Sequence, residues 1–301
     1  MSPRPNLFIV GAPRCGTTKL HVDLGKHPEI FMPARKEPHF FSTDINEAFV
    51  AHQKRRPENL FESMGDYLEL FRDAGDAKVV GESSVYYLYS DRAAEAIREF
   101  APEAKILILL RDPVDFLYSL HGRLYSMVDE TRPFARALEL EAERREGRSL
   151  PRTVRYPGLL FYSDYARFSD RILRYRELFG PAQVRVVLLD DLRRDPVATY
   201  RDILSFLEVE PRDPPVDTPT NENMEARSRL LAYCLRLRWL GGKWNRLDSK
   251  LERWNGRAAK RRPMDPSLRA RLRKEQRPEV ETLSRLIGRD LLTLWGYGSE
   301  V

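Results

Sequence analysis

Cysteine is almost missing from this chain: Cys15 and Cys234 are the two present. So few exclude a disulfide framework and any four-cysteine metal site, and make a reducing compartment the default expectation. Long apolar runs are missing as well. No stretch approaches the ~18 residues that cross a bilayer, and the N-terminal MSPRPN leads directly into a short strand, so a cytoplasmic protein without a membrane span is expected. Internal repeats and low-complexity tracts are absent. Zinc-finger spacing and the aromatic signature of RNA-binding sheets are absent too, which leaves no nucleic-acid partner expected. What is present is enough apolar material, 42% of 301 residues, for a sizeable core. One domain over residues 1–301 is expected, with a mostly helical elaboration from about residue 220. The 51 Lys and Arg against 45 Asp and Glu give +6, a balance that suits an anionic cofactor or an acidic substrate.

Residues 7–20, LFIVGAPRCGTTKL, organise the reading. Leu7, Phe8, Ile9 and Val10 form an apolar run typical of a buried parallel strand. Gly11 ends it, four residues separate Gly11 from Gly16, and Thr17 and Thr18 open a helical pattern. That is the spacing of a phosphate-binding loop, in which backbone N–H groups and a helix N-terminus face an anion. The nucleoside-triphosphatase form needs lysine after the second glycine, where this chain has Thr17, and the cation is instead Arg14 inside the loop. The same sequence of strand, polar turn and helix recurs at residues 105–113, where KILILL stops at Arg111-Asp112-Pro113. A further strand is expected at 185–189. Alternation of this kind predicts an α/β fold with a P-loop-type central parallel sheet flanked by helices.

Elsewhere the pattern is coarser. Residues 44–63 read as a polar surface excursion, 161–179 as one long helix, and 208–219, with four prolines, as a linker. The charged stretch 134–148 reads as a solvated helix face. His27 reads as a residue at the C-terminal end of the first helix, and Phe40 and Phe41 as core.

GAPRCGTT together with KEPHFF at residues 36–41 resembles the sulfotransferases that use 3′-phosphoadenosine 5′-phosphosulfate (PAPS), and the bacterial, carbohydrate-sulfotransferase-like members in particular. The resemblance extends over most of the chain. It implies transfer of a sulfuryl group to a hydroxyl or an amine of a small-molecule or carbohydrate acceptor, with 3′-phosphoadenosine 5′-phosphate (PAP) as product and no metal required. It implies that Arg14 stabilises the leaving phosphate and that Cys15, Gly16, Thr17 and Thr18 hold it. It makes Glu37 the general base, with Lys36 and His39 orienting or polarising it, and makes Arg111 and Ser119 the 3′-phosphate site. Several relatives have Glu-Lys-Ser or Glu-Lys-Thr where this chain reads Glu82-Ser83-Ser84. Ser83 supplies no second active-site lysine, and Lys36 and Arg123 are the substitutes to weigh. Asn221 and Arg227 are candidates for a loop over the adenosine phosphates. Trp239, Trp244 and Trp254 fit either an acceptor-covering surface or helical packing.

Two other readings stay open on the residues alone. RVVLLDD at 185–191 imitates the strand and aspartate that position magnesium in P-loop kinases, and the positive charge alone would suit a non-catalytic anion-binding protein.

Overall fold

The computed structural model describes residues 3–54, 60–61, 63–215, 224–243, 245–258 and 262–298. Asn221 and Trp244 lie outside the described residues. The chain divides into two compact units: residues 1–47, 56–111 and 168–221 form one, and residues 48–55, 112–167 and 222–301 the other.

The first unit holds a five-stranded sheet. Its strands are β1 (Leu7–Gly11), β2 (Ile30–Phe31), β3 (Val79–Ser83), β4 (Lys105–Leu110) and β5 (Val184–Leu188), in the order β2-β3-β1-β4-β5. All pairings are parallel, so the expected P-loop-type parallel sheet is what the chain forms. Every residue of β1 is buried, because helices cover both faces of a parallel sheet and leave no polar side for alternation. The helices of this unit include Thr17–Leu24, Met64–Leu68, Ala93–Phe100, Phe168–Phe179 and Pro196–Phe206. The connection from β1 runs to β2 on the β3 side, whereas that from β4 runs to β5 on the other, so the chain diverges between β1 and β4. A crevice opens beyond the C-terminal ends of strands at such a point.

Two glycines permit this geometry. A Cβ on Gly11 would stand 2.7 Å from the Leu88 Cβ, so only glycine fits where the strand ends. Gly16 has φ of 93°, a backbone conformation in which side chains are strained.

Several expectations need correction here. The surface excursion read at 44–63 begins as a regular helix, Thr43–Gln53, none of whose residues is buried. The expected long helix at 161–179 is two, Tyr162–Tyr165 and Phe168–Phe179. The start of the proline-rich segment is anchored: Glu210 N–H donates to Glu29 Oε2 at 2.7 Å, and Lys105 pairs with Glu208 at 2.9 Å. His27 is buried and bonded to the Glu210 carbonyl oxygen at 2.9 Å, a packing role.

The second unit is helical. It contains Pro113–Ser126, Arg229–Leu240, Arg246–Asn255 and Pro266–Ile287, with a small antiparallel ribbon of β6 (Met224–Ala226) and β7 (Gly256–Ala258). The charged stretch 134–148 belongs here and is not uniformly solvated. Arg144 is 1% exposed and makes a two-pronged bond to buried Glu130, at 2.7 and 2.9 Å.

Candidate functional site

The strand ends bring the site of the first unit together. Past β1, Ala12 N–H still bonds to the Leu109 carbonyl oxygen at 2.7 Å, and past β3, Ser84 N–H bonds to the Ile9 carbonyl oxygen at 3.1 Å. The loop 12–18 therefore leaves one edge of the sheet between Ser84 and Arg111, the residue after β4.

The helix Thr17–Leu24 begins at Gly16 with no side-chain cap and no acidic residue in its first turn. Its first N–H groups have no intrahelical acceptors, and the positive end of its dipole is not offset by a carboxylate of its own. Arg14 has φ of 64°, and its charge and that of Arg111 both act on Cys15. Burial, with Asp190 adding to it, pushes the Cys15 thiol up to about 12 in spite of Arg111, Arg14 and Arg193, so it is neutral and inert. Cys15 can serve an anion through its backbone N–H alone. Arg14, Gly16, Thr17, Thr18 and Arg111 are thus gathered at one edge. An uncapped helix N-terminus beside two guanidinium groups fits a multiply charged phosphate ester, and Arg111 can bind a phosphate through two parallel bonds. Ser119 stands on the helix Pro113–Ser126 of the second unit.

Glu37 reaches the same edge from the β2 side. Its N–H donates to the Ser83 carbonyl oxygen at 2.9 Å, while its side chain is 39% exposed. Lys36 Nζ lies 2.6 Å from Glu37 Oε1, and His39 Nε2 lies 3.4 Å from Oε2. Burial alone would raise the Glu37 carboxyl; the bond from His39 and the charge of Lys36 outweigh it and hold the group at about 2. It is ionised at any working pH. Glu37 and His39 both have left-handed backbone, with φ of 60° and 53°. Phe41 is buried, as expected, and Phe40 stacks on Tyr67 with ring centroids 4.6 Å apart.

Of the two cations weighed for the missing lysine, Lys36 acts on His21, Glu37 and Glu82 together, which sets it at the end of β3. Arg123 stands on the helix Pro113–Ser126 in the other unit. Asp191, half of the kinase-like pair, is joined to Arg194 at 2.9 Å.

Sequence reasoning passed over Glu82 and His21. Glu82 is fully buried and accepts hydrogen bonds from Ser84, Tyr87 and Tyr67 at 2.8, 2.8 and 3.1 Å. Burial raises its carboxyl to about 7 despite these bonds and the Lys36 charge. His21 is held between Ser83 Oγ at 2.9 Å and the Pro33 carbonyl oxygen at 3.0 Å. Burial lowers it to about 4, so Nε2 carries the hydrogen given to Pro33 and Nδ1 accepts from Ser83. The available clue was a glutamate inside an otherwise apolar strand, followed by two serines and Tyr87.

Known proteins share this arrangement of elements. Residues 5–214 match a family model described as "Sulfotransferase family". A crystal structure of a sulfotransferase from Alicyclobacillus acidocaldarius is similar over 97% of this chain and 98% of its own, with 30% identity and a TM-score of 0.72. Carbohydrate sulfotransferase 15 of Rattus norvegicus is 31% identical over 150 residues, 38% of this chain and 26% of the relative. The bifunctional heparan sulfate N-deacetylase/N-sulfotransferase 3 of Homo sapiens is 27% identical over 213 residues, 69% of this chain and 22% of that protein. The chain spans about a quarter of the length of these curated relatives. With the family model covering more than half of it, the chain belongs to the sulfotransferase family.

Proposed function

We propose that this chain transfers a sulfuryl group from PAPS to a hydroxyl or an amine of a carbohydrate acceptor. The observation that carries the reading is one edge of one sheet with an uncapped helix N-terminus, two guanidinium groups acting on the same buried residue, and a permanently ionised carboxylate. The printed names of the matched relatives, for a carbohydrate and for heparan sulfate, support the acceptor class. PAPS would supply an activated sulfuryl group on a phosphate leaving group.

The chain's own residues do the rest. The N–H groups of residues 15–18 hold the 5′-phosphate, and Arg14, which keeps its charge throughout, balances the charge that grows on the leaving oxygen. Arg111 reads the 3′-phosphate through two parallel bonds. Glu37 takes the proton of the acceptor. At about 2 it is a weak base towards an intact alcohol, but the proton becomes strongly acidic once the attacking oxygen has begun to bond to sulfur. A late transfer therefore suits it. Lys36 stands in for the second active-site lysine.

The test is incubation with radiolabelled PAPS and desulfated heparan sulfate, with PAP binding measured in parallel. Label on the polysaccharide is expected, with Glu37→Gln keeping PAP affinity and losing about 10²-fold or more in turnover. PAP binding without transfer to this acceptor or to a panel of other alcohols and amines would leave a non-catalytic anion binder. Equal loss of binding and turnover would remove Glu37 from the base role.

A further inference from the structure

Residues 37–41 carry the proposed base on two left-handed residues, Glu37 and His39, neither of them glycine. Such backbone is strained and persists only where its surroundings hold it. Glu37 N–H is held by the Ser83 carbonyl oxygen at 2.9 Å. His39 N–H donates to Ser84 Oγ at 3.0 Å, and Phe41 N–H donates to the Tyr87 hydroxyl oxygen at 3.3 Å. Both of these acceptor hydroxyls donate their own hydrogen to the same carboxylate, Ser84 to Glu82 Oε2 and Tyr87 to Glu82 Oε1, each at 2.8 Å.

We propose that Glu82 is a positioning residue for the transfer reaction: through Ser84 and Tyr87 it fixes the backbone of residues 37–41 and so aims the Glu37 carboxylate. The inference rests on the reading of Glu37 given above.

The argument turns on direction. A hydroxyl has one hydrogen, and it can accept a backbone N–H reliably only when that hydrogen is committed elsewhere. An ionised carboxylate donates nothing, so three hydroxyls, Ser84, Tyr87 and Tyr67, can all point their hydrogens at Glu82. The lone pairs of Ser84 and Tyr87 are then left facing the His39 and Phe41 N–H groups. Burial and the nearby carboxylate hold both tyrosines well above their ordinary range, so they remain donors. Protonating Glu82 puts a fourth hydrogen into the cluster and forces one hydroxyl to turn. Scaffolding alone would not call for a charge here: a buried carboxylate with no cation bonded to it is costly, and apolar packing would serve as well.

Among the described residues, several polar and charged groups face Glu82 or act on it. They are Tyr67 from the helix Met64–Leu68, Tyr87 and Ser84 beyond β3, Tyr175 from the helix Phe168–Phe179, and Lys36, whose charge favours the ionised form. Glu82 stands at about 7 and Glu37 at about 2. Protonation of Glu82 should then lower turnover on acidification, and the Glu82→Gln variant shows whether that loss is its own.

Glu82→Gln, Ser84→Ala, Tyr87→Phe and Glu37→Gln separate the possibilities. Each is measured for PAP binding, for kcat against pH with PAPS and desulfated heparan sulfate, and for amide hydrogen exchange at residues 37–41. For Glu82→Gln the expected result is PAP affinity within about threefold of the parent, kcat lower by about 10²-fold, faster exchange at His39 and Phe41, and no acidic limb near pH 7. Ser84→Ala and Tyr87→Phe, each cutting one bridge, should give smaller kcat losses and faster exchange at His39 and Phe41 respectively. Unchanged exchange in Glu82→Gln overturns the proposal whatever the activity, as does parental kcat with the acidic limb intact, or a loss of PAP binding equal to that of kcat. Should Glu82→Gln fail to fold, parental kcat in both single-bridge variants overturns it. If Glu37→Gln retains full turnover, the reading of Glu37 as base is what fails.

Discussion

Glu82 in the first unit and Glu130 in the second are both completely buried, yet they are satisfied in opposite ways. Glu130 faces the Arg144 guanidinium through two bonds and also accepts from the Thr131 and Arg132 N–H groups and from Tyr162. Its charge is answered by an equal and opposite one that cannot be titrated away. Glu82 is surrounded by neutral hydroxyls, and burial lifts it into the neutral range. A guanidinium partner makes a buried carboxylate a fixed part of the fold, whereas hydroxyl partners leave it able to change its protonation state.

The largest effect should come from breaking the fixed pair. Arg144→Ala leaves Glu130 buried and uncompensated and should destabilise the protein by about 3–5 kcal/mol, measured by urea unfolding. The double change Arg144→Met with Glu130→Leu should cost much less than either single change, because no lone charge remains.

Next come the titratable groups, and here the signs oppose. Glu82 is raised from 4.5 to about 7, so the native state holds a proton that the unfolded state has released, and stability falls as pH rises through that window. His21 is lowered from 6.5 to about 4, so the unfolded state holds the extra proton, and stability falls as pH drops from 6.5 towards 4. Between about 4.5 and 6.5 the two contributions nearly cancel. Glu82→Gln should uncover the acid-side loss and His21→Gln the loss on raising pH, each with a slope of up to about 1.4 kcal/mol per pH unit in thermal or urea titrations. Matching slopes in the two variants would show that another group dominates. The smallest effect should be at Arg136, whose pair with Glu139 is more than half exposed on both sides. Arg136→Ala should change stability by less than about 1 kcal/mol.

The contrast also explains what could be read in advance. β1 and β4 were legible because parallel strands buried on both faces are written as nearly uninterrupted apolar runs, and the loop at 11–18 because its glycines meet a steric need that spacing records. Arg144 was misread as solvated because its partner lies outside the charged helix that carries it, and only folding brings Glu130 to its side. Glu82 was seen as part of a Glu-Ser-Ser string whose interest lay in a missing lysine. Its partners Tyr67 and Tyr87 carry no local mark of that connection. Lys36 acts on His21, Glu37 and Glu82 together, a convergence that no linear spacing reveals.

β1 stands in the middle of the sheet, with different loops on its two flanks. The loop 12–18 hangs from the β1–β4 flank, whereas residues 33–41 hang from the β3 flank by hydrogen bonds to Ser83, Ser84 and Tyr87. The two flanks meet through β1 and again through His21, which reaches from the helix after the loop to Ser83 Oγ and the Pro33 carbonyl oxygen. A substitution at His21 would therefore disturb both flanks at once, although the residue lies in neither loop.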